Sequence, residues 1–159
     1  IRAVSPAECM TYSNALLSQE SVNNMFVTVF YGIYNIRTGE VTYSNAGHNP
    51  PYLMKADGTV EELPLSKDIV AGAIDDYEFT EDTLQLEKGD TLLLFTDGVT
   101  EAIDKDEKDY GDERLRKLLG QCSKLSCQEI VDKVKADVKA FVGEAEQSDD
   151  ITLLALKRL

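Results

Sequence analysis

The decisive stretch of this sequence is Leu92-Leu93-Leu94-Phe95-Thr96-Asp97-Gly98-Val99-Thr100-Glu101-Ala102. Its first half is a continuous apolar run of strand length, which predicts a strand buried on both faces. A carboxylate and a glycine follow this run directly. Asp97 is therefore either a turn residue or a metal ligand held at the end of a rigid strand.

The turn is the simpler interpretation, because Asp-Gly is among the strongest turn signals in a sequence. The same chain offers a comparison in Asp57-Gly58, which lies between two short strand-like runs and needs no role beyond a hairpin. Taken alone, Asp97-Gly98 fits this interpretation equally well.

The C-terminal end carries the reverse pattern, in which Asp149 and Asp150 precede the apolar run 151–156. If the two apolar runs pair as antiparallel strands, Asp97 lies beside Asp149 or Asp150. Carboxylates that close raise one another's pKa unless a cation neutralises them. The pattern therefore favours a hard divalent metal with oxygen ligands, Mg²⁺ or Mn²⁺.

The composition predicts a single globular domain over residues 1–159, with 43% hydrophobic and 28% charged residues. The formal net charge is −13, which argues against binding to nucleic acid and to anionic membrane surfaces. No apolar run reaches membrane-spanning length. The negative charge suits a divalent cation or a basic patch on a protein partner.

The cysteines and the single histidine do not form a zinc motif. Cys9, Cys122 and Cys127 are scattered along the chain, and His48 is far from each of them in sequence. We interpret the three cysteines as reduced thiols, which predicts a cytoplasmic protein.

Three helices are predicted. The capping box Ser5-Pro6-Ala7-Glu8 begins the first, which ends near 18–21, and a second capping box begins the third at Ser126. Asp112 is predicted to cap the short helix between them. The expected inner residues are Met10, Leu16 and Leu17 in the first helix, Leu115, Leu118 and Leu119 in the second, and Ile130, Val131, Val134, Val138 and Phe141 in the third.

The predicted strands are mostly arranged as hairpins, which favours an α+β layered domain. The run 26–36 is apolar on both alternating faces and predicts a central strand. A hairpin turn leads from it into 41–46, a second hairpin joins 52–55 to 59–63, 77–86 predicts an edge strand, and the last strand begins at Asp150. The acidic run 104–113 lacks the spacing of an EF-hand, so we interpret it as a solvated loop and not as a calcium site.

Four stretches stand out in order along the chain: Met25–Gly32, Tyr43–Pro51, Phe95–Ala102 and Asp149–Leu154. Together they resemble the bacterial protein serine/threonine phosphatases of the PPM (PP2C-like) superfamily, in its SpoIIE/RsbU branch. The resemblance covers nearly all of the sequence. It implies a PP2C-like antiparallel β-sandwich flanked by helices, in agreement with the α+β prediction.

The resemblance implies metal-assisted hydrolysis of phosphoserine or phosphothreonine, in which two Mn²⁺ or Mg²⁺ ions activate a water. By position, Asp97 and Asp149 match metal ligands of the family. Gly98 would allow close backbone approach beside the metals, and Asp150 is a neighbour whose role stays open. No side chain is assigned as the catalytic group. His48 matches a turn outside the metal cluster, and we interpret it as structural.

One family motif has no counterpart in this sequence. The first metal-binding motif, of the Gly-Asp-x-x-x-Asp type, would precede the helix at Ser5, and residues 1–4 read Ile-Arg-Ala-Val. We therefore expect an N-terminally truncated domain without its first strands, which binds metal poorly and is weakly active or inactive. A sheet edge left unpaired in this way predicts self-association.

Three functions stay open. The first is a phosphatase domain that acts on a phosphorylated anti-sigma-factor antagonist in a partner-switching pathway, downstream of a sensory or receiver domain; the resemblance implies these partners. The second is a non-catalytic PP2C-like regulatory or docking module. The third is a structural acidic domain whose aspartates only form turns. The presence of both Asp97 and Asp149 favours the first.

Overall fold

The computed structural model describes residues 5–20, 25–145 and 149–159. In these ranges the helices are α1 (Pro6–Glu20), α2 (Asp112–Leu119) and α3 (Cys127–Val142). The strands are β1 (Val29–Tyr34), β2 (Glu40–Ala46), β3 (Tyr52–Met54), β4 (Val60–Glu62), β5 (Asp82–Gln85), β6 (Thr91–Phe95) and β7 (Leu153–Lys157). The strands form two antiparallel sheets, which confirms the predicted α+β class.

The chain divides into two compact units. The first comprises Ile1–His48 and Pro64–Leu86 and contains α1 and the sheet β1-β2-β5. The second comprises Asn49–Leu63 and Glu87–Leu159 and contains α2, α3 and the sheet β4-β3-β6-β7. None of the helices in the described ranges combines the length and the hydropathy that crossing a membrane requires.

The first sheet corrects one sequence prediction. The run 26–36 was expected to form a central strand, but β1 covers only Val29–Tyr34 and lies at the edge of its sheet, where β2 is its one partner among the named strands of the described residues. Its middle residues are exposed, Ile33 at 45%. The apolar pattern on both faces misled the prediction, because pattern alone does not say which strand lies beside which. The expected edge strand is confirmed as β5, over a shorter range.

Helix α1 begins as predicted, with reciprocal hydrogen bonds between Ser5 and Glu8. Met10 is buried, whereas Leu16 and Leu17 are 46% and 43% exposed, so their predicted inner position is wrong. The buried residue one turn after Met10 is Asn14, which is fully buried. Helical periodicity favoured the leucines because it scores apolar residues and cannot recognise a buried amide.

The Asn14 side chain ties α1 to the loop that precedes β5. Its Nδ2 donates to the carbonyl oxygen of Ile74 at 2.9 Å, and its Oδ1 accepts the Gly72 N–H at 2.8 Å. One turn earlier, the Thr11 hydroxyl accepts the Phe79 N–H at 3.0 Å. The helix is therefore anchored by polar contacts to loop backbone as well as by apolar burial.

Replacing Asn14→Ala should destabilise the chain by about 2–4 kcal/mol, because it leaves a backbone donor and a backbone acceptor without partners. Urea unfolding followed by circular dichroism measures the change. Gln19→Ala, at an exposed position of the same helix, is the matched control and should stay within about 0.5 kcal/mol of wild type. Equal effects of the two substitutions would contradict the anchoring role.

Strand β6 lies inside the second sheet and pairs with β3 on one side and with β7 on the other. Four of its five residues are buried, as the apolar run predicted. The antiparallel pairing with β7 matches Phe95 with Leu153 and Thr91 with Lys157. The final strand begins at Leu153 rather than at Asp150, so the acidic residues lie just before it.

Helices α2 and α3 share a core with this sheet that includes Tyr52, Phe95, Leu115 and Ile130. The Ser126 capping box of α3 is present as predicted. The predicted capping role of Asp112 is wrong: the residue at the cap position of α2 is Gly111, without a side-chain capping bond. The Asp112 carboxylate instead accepts a hydrogen bond of 2.9 Å from the Tyr52 hydroxyl.

A polar cluster joins α2 and α3. The Asp137 carboxylate accepts hydrogen bonds from Arg114, at 2.8 and 3.2 Å, and from the hydroxyl of the buried Tyr110, at 2.7 Å. The Arg114 guanidinium also lies 4.9 Å from the centre of the Phe141 ring. Hydrogen bonding from Arg114, with a further contribution from Tyr110, lowers the pKa of Asp137 below its ordinary value.

Asp137→Asn should lower the free energy of unfolding by about 1–2 kcal/mol at neutral pH, since Arg114 and Tyr110 lose a charged acceptor. Because the folded-state pKa of Asp137 is lowered, this stabilisation is complete above the carboxyl's ordinary pKa of 3.8. It disappears as the pH falls through the lower folded-state value. Urea unfolding across this acid range should show the two proteins converging. Asp132→Asn, an exposed position of α3, is the control and should leave the pH dependence unchanged.

Candidate metal centre

The β6–β7 pairing brings the two acidic segments together. Beyond the Phe95–Leu153 pair, the Thr96 N–H donates to the carbonyl oxygen of Thr152 at 3.2 Å. The pairing therefore continues past the end of β6 and leads directly to Asp97 on one chain segment and to Asp150 on the other. The antiparallel pairing predicted from the mirrored sequence pattern is confirmed, and the convergence of the carboxylates stays a prediction.

The closest approach is at Gly98. A Cβ atom at this position would lie 2.5 Å from the carbonyl oxygen of Asp150 and 3.3 Å from the carbonyl carbon of Asp149. Gly98 does not have a positive φ, so its backbone conformation does not demand glycine. What demands glycine is the contact itself, because any other residue would push the Asp149–Asp150 backbone away.

Asp97 is an exposed carboxylate on a firmly held turn. The neighbouring residues Phe95 and Val99 are buried in the core of the second unit. The Val99 N–H donates to the Thr96 carbonyl oxygen at 3.0 Å, and the Glu101 N–H donates to the Asp97 carbonyl oxygen at 2.8 Å. The Asp97 carboxylate accepts the Gly98 N–H at 3.0 Å. Core packing therefore fixes the backbone, while the carboxylate stays in water.

Asp149 and Asp150 are also exposed, and the Asp149 carboxylate accepts the Asp150 N–H at 2.6 Å. Carboxylate oxygens are the donors that Mg²⁺ and Mn²⁺ prefer, so the chemistry of these residues fits such an ion. Within the described ranges, no three Asp, Glu, His or Cys side chains come together as a ligand set. The described residues thus offer part of the oxygen coordination that these ions take.

Two other segments contain residues considered above as possible functional groups, namely His48 and the acidic run 104–113. The Asn45 side chain accepts the His48 N–H at 2.8 Å and donates to the His48 carbonyl oxygen at 3.0 Å, which closes a turn after β2. In the acidic run, the Asp104 carboxylate accepts the N–H groups of Asp106 and Lys108. These backbone bonds lower the pKa of Asp104. Asp104 therefore stabilises its own loop.

A family model described as "Stage II sporulation protein E (SpoIIE)" matches residues 2–159. The chain belongs to the SpoIIE family. The likeness predicted from the four sequence landmarks is thereby confirmed.

Two curated proteins illustrate the relationship. Phosphoserine phosphatase RsbU of Bacillus subtilis (strain 168) is 33% identical over 157 residues, which cover 98% of this chain and 46% of RsbU. Protein IcfG of Synechocystis sp. (strain ATCC 27184 / PCC 6803 / Kazusa) is 33% identical over 135 residues, which cover 84% of this chain and 21% of IcfG. The chain thus spans between about a fifth and a half of the length of these relatives.

Two solved structures are similar to this chain in fold. The RsbU and RsbW domains of Rv1364c from Mycobacterium tuberculosis match with a TM-score of 0.78 at 22% identity, over 98% of this chain and 42% of that chain. The phosphatase domain of SpoIIE from Bacillus subtilis, described as Mn presoaked, matches with a TM-score of 0.69 at 18% identity. The match covers 98% of this chain and 67% of that chain. The likeness shows that this SpoIIE-family chain has the PP2C phosphatase fold.

The Gly98 contact gives a direct test of the site's geometry in this SpoIIE-family chain. Gly98→Ala should destabilise the fold by about 1–3 kcal/mol, because the added methyl group overlaps the Asp150 carbonyl. Thermal unfolding measures the loss, and amide NMR shifts should change at residues 149–152.

Gly120→Ala is the control. Its added Cβ would lie 3.4 Å from the Gly58 carbonyl oxygen, an ordinary contact, and the Gly120 backbone is helical, with φ −57° and ψ −19°. This substitution should be neutral or stabilising by about 0.4–1 kcal/mol. Equal stability of the two variants would mean that the two segments do not touch at Gly98.

Proposed function

We propose that this chain is the phosphatase domain of a metal-dependent protein serine/threonine phosphatase. The observation that carries the proposal is the close approach of Gly98 to Asp149 and Asp150, which sets Asp97 beside a second acidic segment. Membership of the SpoIIE family and the 33% identity to a phosphoserine phosphatase support it.

In this proposal Asp97 and Asp149 hold the metal, and Asp150 and Gly98 shape the adjoining backbone. Bound Mn²⁺ or Mg²⁺ would supply an activated water and neutralise phosphate charge. The residues of the chain contribute preorganisation: Phe95 and Val99 anchor the turn, and the paired strand ends limit the separation of the carboxylates. Because both carboxylates are exposed, a phosphorylated side chain of a partner protein can reach them.

The proposed substrate is a phosphorylated anti-sigma-factor antagonist in a partner-switching pathway, and the proposed location is the cytoplasm. We further propose that a sensory or receiver domain acts upstream of this domain in the intact protein. The matched residues cover 46% of the length of RsbU. With a net charge of −13, the chain should attract partners through basic patches and repel nucleic acid.

We expect the chain by itself to bind metal weakly and to hydrolyse little substrate. Two carboxylates provide only part of the near-octahedral oxygen shell that Mg²⁺ takes. Two further expectations stay predictions. One is that residues 1–159 form a single domain, and the other is that this domain associates with a second copy of itself.

The metal proposal predicts a stability change that does not depend on turnover. Mn²⁺ at ten times its Kd should stabilise the folded chain by about 1.4 kcal/mol. Asp97→Asn and Asp149→Asn should each remove most of this gain. In EDTA the same variants should be as stable as wild type or more stable, since they relieve repulsion between carboxylates. Thermal unfolding with and without Mn²⁺ provides the comparison.

Asp57→Asn is the matched control, because Asp57 also precedes a glycine and its carboxylate caps a turn at the Thr59 N–H, at 2.8 Å. This variant should keep the full response to Mn²⁺. Hydrolysis of a phosphoserine protein that is slow, requires Mn²⁺ and stops in EDTA then separates a phosphatase from a docking module, which binds metal without any turnover. A wild-type chain that does not respond to Mn²⁺ in any of these assays refutes the proposed metal centre.

A further inference from the structure

The side chain of Thr96 bridges the two acidic segments. Its Oγ1 donates a hydrogen bond of 2.8 Å to the carbonyl oxygen of Asp150 and accepts one of 2.9 Å from the Thr152 N–H. The Thr96 backbone N–H adds a third bond, of 3.2 Å, to the Thr152 carbonyl oxygen. A single residue on the Asp97 side thus makes three bonds to the segment that carries Asp150.

These bonds act where the regular strand pairing has ended. β6 ends at Phe95 and β7 begins at Leu153, so the last backbone pair of the named strands is Phe95 with Leu153. Beyond that pair the backbone contributes the bond from the Thr96 N–H to the Thr152 carbonyl oxygen, and repulsion between the exposed carboxylates of Asp97, Asp149 and Asp150 favours separation of the segments. The Thr96 hydroxyl opposes this separation, because its two bonds add to that backbone bond.

Thr96 and Gly98 have complementary effects on the same segment. The hydroxyl of Thr96 draws the Asp150 carbonyl and the Thr152 N–H inward, whereas the missing Cβ of Gly98 leaves room for the Asp150 backbone to approach. Asp97 lies between these two residues. Its distance from the Asp149–Asp150 backbone is therefore limited from both sides.

We propose that Thr96 is a positioning residue for the metal centre: its hydroxyl fixes the separation between Asp97 and the Asp149–Asp150 segment. This inference rests on the proposed function, because it assigns Thr96 a role toward the same carboxylates. Residues that orient metal ligands without binding the metal typically change metal affinity by about 10–100-fold when they are replaced.

The test compares Thr96→Val, which keeps the branched shape without the hydroxyl, with Thr96→Ser, which keeps the hydroxyl. Thr96→Ala provides a second hydroxyl-free variant in case valine disturbs the turn. Thr100→Val is the matched control, because the Thr100 hydroxyl donates to the Asp97 carbonyl oxygen, at 3.3 Å, within the same turn, and among the described residues it makes no bond to the Asp149–Asp150 segment. Each protein is the full 159-residue chain.

Two measurements are made on each protein. Amide hydrogen exchange reports on the Thr152 N–H, which donates to the Thr96 hydroxyl. Titration with Mn²⁺, followed by paramagnetic broadening of the amide signals of residues 97, 98, 149 and 150, gives the metal affinity and also registers weak binding.

We expect Thr96→Val and Thr96→Ala to speed exchange of the Thr152 amide by about fivefold to tenfold, the loss of one hydrogen bond. They should weaken Mn²⁺ binding by about 10–100-fold. Thr96→Ser and Thr100→Val should stay close to wild type in both measurements. This combination supports the positioning role, because a merely structural threonine would not change the affinity for the metal.

Unchanged Mn²⁺ affinity in the two hydroxyl-free variants overturns the Thr96 proposal and leaves the proposed metal centre standing. Unchanged exchange of the Thr152 amide overturns it as well, since the bridging bond would then be absent. A wild-type chain whose signals at residues 97, 98, 149 and 150 do not broaden with Mn²⁺ overturns the metal centre and the positioning role together. The response of the wild-type chain to Mn²⁺ therefore distinguishes a failure of the Thr96 proposal from a failure of the proposed metal centre.

Discussion

The structure of the candidate site depends on the antiparallel pairing of β6 with β7. This pairing fixes which residues lie opposite one another, and a slip by one residue would turn every side chain of a strand to the other face of the sheet. Leu93 and Phe95 of β6 belong to the core of the second unit, and their packing there favours the observed register. The position of Asp97 relative to Asp150 is thus a consequence of apolar packing several residues away.

The helices of the second unit stabilise the same pairing from a distance. The ring of Tyr52 stacks on Phe95, with centroids 5.2 Å apart, and the Tyr52 hydroxyl donates to Asp112 at the start of α2. Helix α2 is joined to α3 by the bonds from Arg114 and Tyr110 to Asp137. Strand β6, which leads to Asp97, is therefore packed against helices that are themselves held together by hydrogen bonds. This packing limits the movement of the strand.

The sequence was most informative where a local pattern has a single structural interpretation, as for a buried strand or a capped helix start. The apolar run at 92–95 predicted the buried strand β6, and the capping boxes at Ser5 and Ser126 predicted the starts of α1 and α3. The mirrored order of acidic and apolar residues at the two ends then predicted that the acidic strand ends lie together. Each of these predictions depended on local chemistry that tertiary packing did not override.

The sequence was least informative where a polar side chain serves a distant part of the chain. Asn14 is buried because it bonds a loop about sixty residues away, and Asp112 bonds Tyr52 in place of its own helix. Thr96 was not recognised because a threonine at a strand end is already explained by β-propensity. Hydrogen bonds of this kind depend on three-dimensional contacts that neither periodicity nor composition encodes.

The location of the acidic residues on exposed backbone has an energetic consequence. Burying a carboxylate without a partner costs several kcal/mol, so a cluster of buried acids would hold together only with its metal. Here Asp97 and Asp149 are exposed, and the Thr96 hydroxyl bond and the close backbone approach at Gly98 hold their segments together. Repulsion between exposed carboxylates is screened by solvent and salt, which makes it small beside the free energy of the apolar core. The chain can therefore form this geometry without a bound ion, and the proposed metal centre would not need to supply the free energy that folds β6 and β7.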